Sequence, residues 1–320
     1  MINDKDLHDH GACRIAVFGE ALVDLFSSGP VVGGAPFNVA RHLAAFGQQP
    51  LMLSAIGADD AAAVVRNEFV RYGMRQDGLQ TLATVQTGIV DVITDAAGGH
   101  VFSIRSACAY DAIGMQAVGV AASAVAPQGW LYFGTLALRA AVSRHTWQAL
   151  VLAHPGPTYL DLNWRAAEVD RDTVLAALAA ATVLKVNEEE LAMLLGWTHA
   201  GAVSAPSSWE VARDDAVIGQ FMASFARMDR LVVTCGAEGY ASFDRHGRCD
   251  ARGSVARAIT LIDTVGAGDA FSSVVLAGML NHWPWQESLA RANDFAAAIC
   301  EVRGAVPATL DAYAGLTAHW

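Results

Sequence analysis

Over most of its 320 residues the chain alternates short apolar runs with longer segments of helical period, and no other feature restricts its fold as tightly. Residues 14–19 form an apolar run ending in glycine, and 51–56, 131–133, 158–162, 182–186 and 231–234 repeat the theme. Apolar residues three and four apart predict helices over 35–46, 59–72, 142–153, 172–181, 188–195 (stopped by Gly196), 270–280 and 285–300. Strand–helix–strand units of this kind need crossover connections. Their strands therefore run parallel, and helices cover both sheet faces. The expected class is α/β, with a mainly parallel sheet.

Residues 87–110 have a different texture. Gly88–Thr94 and residues 100–105 read as strands joined by a turn, Asp95-Ala96-Ala97-Gly98-Gly99. A hairpin inside an alternating chain predicts a small sheet standing off the main body. A second hairpin-like pair is read at 240–243 and 248–251, and 198–215 reads as a polar loop. There are no repeats and no linker long enough to separate two halves, so residues 1–320 are expected to form one domain.

A hydrophobic content of 53% with 17% charged residues describes a chain with a large core. No apolar run approaches the roughly 18 residues that a membrane helix needs. The first ten residues are polar and acidic, unlike a secretion signal, and His8 and His10 read as solvated. Five scattered cysteines without a Cys-x-x-Cys pair read as reduced thiols of a cytoplasmic protein, with no zinc spacing. A net charge of −11 argues against a nucleic-acid surface, and an anionic substrate would have to be held by local groups and metal ions. Walker-type loops, Gly-x-Gly-x-x-Gly, Gly-x-Ser-x-Gly and His-Glu-x-x-His are absent.

The chemistry-bearing residues fall just past the ends of the expected strands: Asp24, Asn163 with Arg165, Asn187, Thr234 with Gly236, and Asp269. In a parallel sheet those ends share one edge, where open α/β sheets place ligands. The turn Asp263-Thr264-Val265-Gly266-Ala267-Gly268-Asp269 leads into a helix, whose free N–H groups attract anions. Asp269 in that company is either an acid favoured by the helix dipole or a base for an attacking hydroxyl. In Gly33-Gly34-Ala35-Pro36-Phe37-Asn38, Asn38 lies in a first helical turn. It either bonds the local backbone or faces whatever the glycines expose. Asp24 reads equally as a turn residue, and Arg105 as a solvated edge cation or a functional one. Asn187 and Glu190 share a helix face. Either they cap that helix or they hold water around Mg²⁺. Lys185 is costly to bury without an anionic partner, which makes phosphate plausible.

These stretches resemble the two signatures of the ribokinase-like (PfkB) carbohydrate kinases, in the right order and at the two ends of the chain. The connecting elements Asp161-x-Asn163-x-Arg165, Lys185-x-Asn187-x-x-Glu190 and Thr234-Cys235-Gly236-Ala237-Glu238-Gly239 match too, so the resemblance spans residues 13–308. It implies transfer of the γ-phosphoryl group of ATP to a sugar alcohol. Carried over, Asp269 is the base, and Gly266, Ala267 and Gly268 form the anion hole. Asn187 and Glu190 organise hydrated Mg²⁺. Lys185, Asn187, Thr234, Gly236, Gly239 and Asn293 lie on the nucleotide side. Asp24, Gly34, Asn38, Arg105 and Arg165 lie on the sugar side. Many members use a monovalent cation such as K⁺, bound partly at Asp263 and the carbonyl of Val265. Segments 20–34 and 87–110 match the family's β lid, and in many members the lids pair to form a homodimer.

Gly-Glu-x-Leu-x-Asp at 19–24, with Gly-Gly-Ala-Pro-x-Asn, is most similar to fructokinases and aminoimidazole riboside kinases. Phe102-x-x-Arg105 is reminiscent of 2-keto-3-deoxygluconate kinases, where an arginine pairs with a carboxylate. The expectation is a kinase of a neutral ketohexose, fructose first. The acidic sugar and the riboside are alternatives within the class, and a sugar-sensing binding protein without catalysis is the alternative outside it.

Overall fold

The computed structural model describes residues 12–94, 100–198, 215–254, 260–318 and 320. The tail with His8 and His10, the turn at 95–99 and nearly all of the 198–215 loop lie outside those residues.

The main sheet has nine strands. Within it β1 (Cys13–Phe18) is flanked on one side by β4 (Leu51–Ile56) and β5 (Leu79–Thr81). On the other side lie β8 (Val125–Phe133), β9 (Thr158–Asp161), β10 (Val183–Asn187) and β11 (Arg230–Thr234), all parallel. An antiparallel pair, β12 (Tyr240–Asp244) and β13 (Cys249–Gly253), finishes that edge.

Side-chain alternation sorts the central strands into two cores. Ala16, Phe18, Leu131, Phe133, Leu160, Leu184, Val186, Leu231 and Val233 face one side. There they pack on α3 (Gln116–Ala124), α4 (Ala141–Ala153), α5 (Arg171–Ala180), α6 (Glu188–Thr198) and α7 (Asp215–Ala223). Ile15, Val17, Tyr132, Tyr159, Val183 and Val232 face the other. That side is covered by α1 (Ala35–Ala45), α2 (Asp60–Arg71), α8 (Ala267–Leu280) and α9 (Trp285–Ile299). A short α10 (Asp311–Leu316) adds Tyr313 to the same core.

A four-stranded second sheet runs in the order β3 (Gly29–Gly33), β2 (Leu22–Phe26), β6 (Gly88–Thr94), β7 (His100–Ile104). Its outer pairs are antiparallel and β2 is parallel to β6. Two polar straps tie it to the body. Thr87 donates its N–H and hydroxyl to the Asp59 carboxylate at 2.8 and 2.6 Å. Arg139 grips Asp111 through two bonds of 2.8 Å and the Arg105 carbonyl at 2.6 Å.

Several boundaries differ from the sequence reading. Helix α8 starts at Ala267, which puts Asp269 inside its first turn. Helix α6 runs through Gly196 to Thr198, where a side chain would meet nothing within 4 Å. Strand β8 begins at Val125, and β3, β5, α3 and α10 were not foreseen. Gly33 is a paired strand end opposite Leu22, and the bend into α1 falls at Gly34, with φ +101°. Short edge strands and Ala-rich or six-residue helices carry too little periodicity to be read.

The imidazole of His42 on α1 is fully buried between the Ala305 carbonyl (3.1 Å) and the Tyr313 hydroxyl (2.9 Å). Burial and then the charge of Arg41 push its pKa down to about 3. The unfolded chain therefore binds a proton near pH 6.5 that the fold refuses, so this residue's contribution to stability is lost as pH falls below about 6.5. A His42→Gln variant can keep both partners. Its melting temperature should fall less than the parent's between pH 7 and pH 5, as read by calorimetry.

Candidate active site

The turn before α8 is shaped by crowding. Gly266 has φ +79°, and a Cβ there would lie 2.4 Å from the Cβ of Ala305. Both the left-handed backbone and the contact call for glycine. The Ala267 N–H reaches the Thr264 carbonyl at 3.3 Å. Those of Gly268 and Asp269 have no acceptor within the helix, and they stand at the positive end of its dipole. A Cβ on Gly268 would come within 2.8 Å of Lys185 Nζ, so an ammonium faces the same turn.

That ammonium has a partner that the sequence reading assigned to phosphate. Parallel register sets Lys185 on β10 beside Asp161 on β9, both on the α8 side of the sheet. Lys185 Nζ donates to Asp161 Oδ1 and Oδ2 at 3.0 and 3.2 Å, and Ser272 of α8 donates to Oδ2 at 2.7 Å. Lys185 is 6% exposed and Asp161 1%. Burial opposes the charge on Lys185, but Asp161, then Glu190 and Asp269, outweigh it and hold its pKa above the usual lysine value. Removing one partner would strand a buried charge, at a cost of about 3–5 kcal/mol.

Asp269 is itself 8% exposed, and its Oδ2 accepts from Asn38 Nδ2 at 2.7 Å. Burial, reinforced by the charge of Asp161, pushes its pKa up to about 6, while Asn38, Lys185 and Arg165 hold it down. It is mostly ionised at neutral pH yet basic enough to take a proton. The exposed Arg165 makes no side-chain hydrogen bond to another described residue, and its charge reaches both Asp269 and Glu20.

Two more carboxyls line the approach. Glu20, just past β1, is 4% exposed, and burial pushes its pKa up to about 7. Its Oε2 is buried without a partner among the described residues. Gly34, with φ +101°, passes so close that a Cβ would sit 2.6 Å from the Glu20 carbonyl. Asp24 is likewise raised by burial, to about 6, although Arg41 lowers it. A Cβ on Gly33 would lie 2.3 Å from its Oδ2.

The remaining expected site residues divide. Asn187 and Glu190 form a reciprocal helix cap. Asn187 Oδ1 accepts the Glu190 N–H at 2.8 Å, and Glu190 Oε2 accepts the Asn187 N–H at 2.9 Å. Glu190 Oε1 takes the Trp164 N–H at 2.8 Å. Each carboxylate oxygen keeps a lone pair and Asn187 is exposed, so the pair suits a cation's waters more than the bare ion. Thr234, level with Asn187 on β11, bonds the Val186 carbonyl at 3.3 Å, and Gly236 and Gly239 shape the turn beyond it. Asn293 lies in α9, 7% exposed. Asp263 braces the turn by accepting the Val265 and Gly304 N–H groups, each at 3.0 Å.

Arg105 is not brought to this cluster. It forms a two-bond pair with Asp91 at 2.8 and 2.7 Å. Asp91 pairs in register with Leu25, so its side chain lies on the sheet face opposite Asp24. Of the two readings of Arg105, solvated edge cation or functional one, the structure shows an exposed edge cation with a cross-strand carboxylate. Sequence reasoning also missed Arg41, Glu68 and Ser272, and the pairing role of Asp161. The available signal was Arg41 itself, a cation among Phe37, Val39, Ala40 and Leu43, all fully buried.

Comparison with known proteins assigns the chain to a family. The pfkB family carbohydrate kinase profile matches residues 18–312. A fructokinase of Klebsiella pneumoniae is 30% identical over 292 residues, covering 84% of this chain and 85% of that one. An aminoimidazole riboside kinase of Salmonella typhimurium is 24% identical, covering 92% and 91%. The crystal structure of an ATP-bound fructokinase of Xylella fastidiosa superposes with a TM-score of 0.77 at 22% identity, covering 95% and 98%. The chain belongs to the pfkB family of carbohydrate kinases, and it is a sugar kinase.

Because the folded-state pKa of Glu20 is raised, its charged form is disfavoured by the fold. That penalty is absent below about pH 4.5 and complete above about pH 7, building at roughly 1 kcal/mol per pH unit. Glu20→Gln should therefore raise the melting temperature at pH 8 more than at pH 5. Equal gains at both would contradict the burial account.

Proposed function

We propose that this sugar kinase transfers the γ-phosphoryl group of ATP to a hydroxyl of a neutral ketohexose, fructose being the first candidate. The observation that carries the reading is the meeting, in one turn, of a base (Asp269), uncommitted backbone N–H groups and the Lys185 ammonium. Asp269 accepts the proton of the attacking hydroxyl. The N–H groups of Gly268 and Asp269 stabilise charge on the transferring phosphoryl from fixed positions, and Arg165 approaches the same region. Asp24 and Glu20 supply acceptors for polyol hydroxyls, and Asn38 holds the base. Thr234, Gly236, Gly239 and Asn293 would line the nucleotide.

Mg²⁺ would neutralise the phosphate oxygens, with Asn187 and Glu190 holding its waters. A monovalent cation such as K⁺ would share the Asp263 carboxylate and the Val265 carbonyl. The second sheet would act as a lid that excludes water, and pairing of two such sheets is the proposed route to a homodimer. The five free thiols suit a cytoplasmic setting. The Arg105–Asp91 pair disfavours an acidic sugar, since its cation is already committed.

Asp269→Ala should lower kcat about 10³-fold or more and leave ATP affinity intact; near-normal turnover would end the mechanism. Coupled ADP release across fructose, 2-keto-3-deoxygluconate, ribose and aminoimidazole riboside, with and without K⁺, tests the acceptor. Fructose should give the highest kcat/KM, and preference for the riboside or the acidic sugar would replace it.

A further inference from the structure

Helix α1 buries a second cation that the mechanism leaves unused. Arg41 is 2% exposed, and both terminal nitrogens of its guanidinium are committed, while Nε has no partner among the described residues. One nitrogen donates to Glu68 Oε2 at 2.9 Å. The other donates to the Val32 carbonyl at 2.9 Å and to Asn38 Oδ1 at 2.5 Å. The group also lies over the Phe37 ring, 5.1 Å from its centre. Glu68 is held in turn by Arg71 at 3.1 Å.

A guanidinium has donors and no acceptor, so the Asn38 atom facing it must be the carbonyl oxygen. The amide nitrogen is then forced toward Asp269, 2.7 Å away, where only an acceptor can receive it. The guanidinium and the Asp269 carboxylate select the same orientation from opposite ends of the amide, and without Arg41 only the carboxylate opposes a flip. The flipped amide would set an oxygen against the Asp269 carboxylate, two acceptors face to face. We propose that Arg41 is a positioning residue for phosphoryl transfer: anchored by Glu68, it fixes the orientation of the Asn38 amide and thereby holds Asp269 as an ionised acceptor in line with the substrate hydroxyl. The inference rests on the reading of Asp269 as the base.

Arg41 touches neither the turn nor Asp269, so its effect must pass through Asn38. Asp269 is also faced by Asp161 from β9, Lys185 from β10, Arg165 from the loop after β9, Glu20 from the segment after β1 and Tyr132 from β8. All of these stay in place when Arg41 is replaced. Losing a donor to a carboxylate favours its protonated form, which moves the acid limb of the pH–rate profile to higher pH. Arg41 also acts on Asp24, and a shift arising there would not depend on Asn38.

The test is a double-mutant cycle read as pH profiles of kcat on the accepted sugar, with ATP binding measured in parallel. Arg41→Met should lower kcat about tenfold or more and move the acid limb up by about half a pH unit or more, with ATP affinity unchanged. Asn38→Leu should reproduce that shift. Adding Arg41→Met to Asn38→Leu should move the limb no further, because the intermediary is already gone. Arg41→Lys, which retains a single donating nitrogen, should recover part of the loss. An unmoved limb in Arg41→Met, or an equal shift with and without Asn38, overturns the proposal. If Arg41→Met does not fold, an unmoved limb in both Arg41→Lys and Asn38→Leu does the same. Asp269→Asn separates the two readings. Turnover in that variant removes the base itself, whereas a dead Asp269→Asn beside an unshifted Arg41 variant removes only the role of Arg41.

Discussion

The buried ion pair between Lys185 and Asp161 is the contact on which the rest of the site depends. An ammonium under a sheet is tolerable only with a counter-charge, and a counter-charge is useful there only if the ammonium can still face outward. Adjacent parallel strands solve both requirements, since in-register neighbours point the same way. Ser272 closes the remaining lone pair from the helix above, so the strand ends and α8 are locked in one polar contact. The anion-attracting turn then stands at a fixed distance from a fixed cation. Asp269 can be kept basic by burial without losing its charge, because Lys185, Arg165 and Asn38 each offset part of the desolvation.

Much of this was readable before any coordinates. The α/β class follows from periodicity, because strands buried on both faces and amphipathic helices leave different spacings, and those spacings are intact here. The strand-end polar residues stood out because their places follow from the strands, whereas the acid beside the glycines kept two readings, helix-start acid and base, and only its company in the rest of the chain favoured the second. What could not be read depends on register. Nothing in the spacing of Asp161 and Lys185 says that they are lateral neighbours, so the partner of the buried lysine was sought in a ligand. The partner of Arg105 was hidden in the same way, since its pairing with Asp91 is a cross-strand relation. Asn187 and Glu190 carried two meanings in sequence, helix cap and cation shell, and the geometry realises the first while leaving lone pairs for the second.

The small sheet shows how a few side chains fix the position of a whole element. Arg139 is satisfied by Asp111 and by the Arg105 carbonyl at the end of β7, and Asp59 caps α2 while holding Thr87 at the start of β6. Both straps grip the sheet at its base and leave its far end unconstrained by them. Apolar side chains on its Asp24 face, including Phe102 and Val31, remain exposed.

The wall behind Gly266 comes from Ala305, which the His42 ring and Tyr313 hold from α1 and α10. The catalytic turn is thus moulded by segments from both ends of the sequence. A nascent chain halted after α9 would carry nearly every signature residue and still lack the surface against which the turn takes its shape.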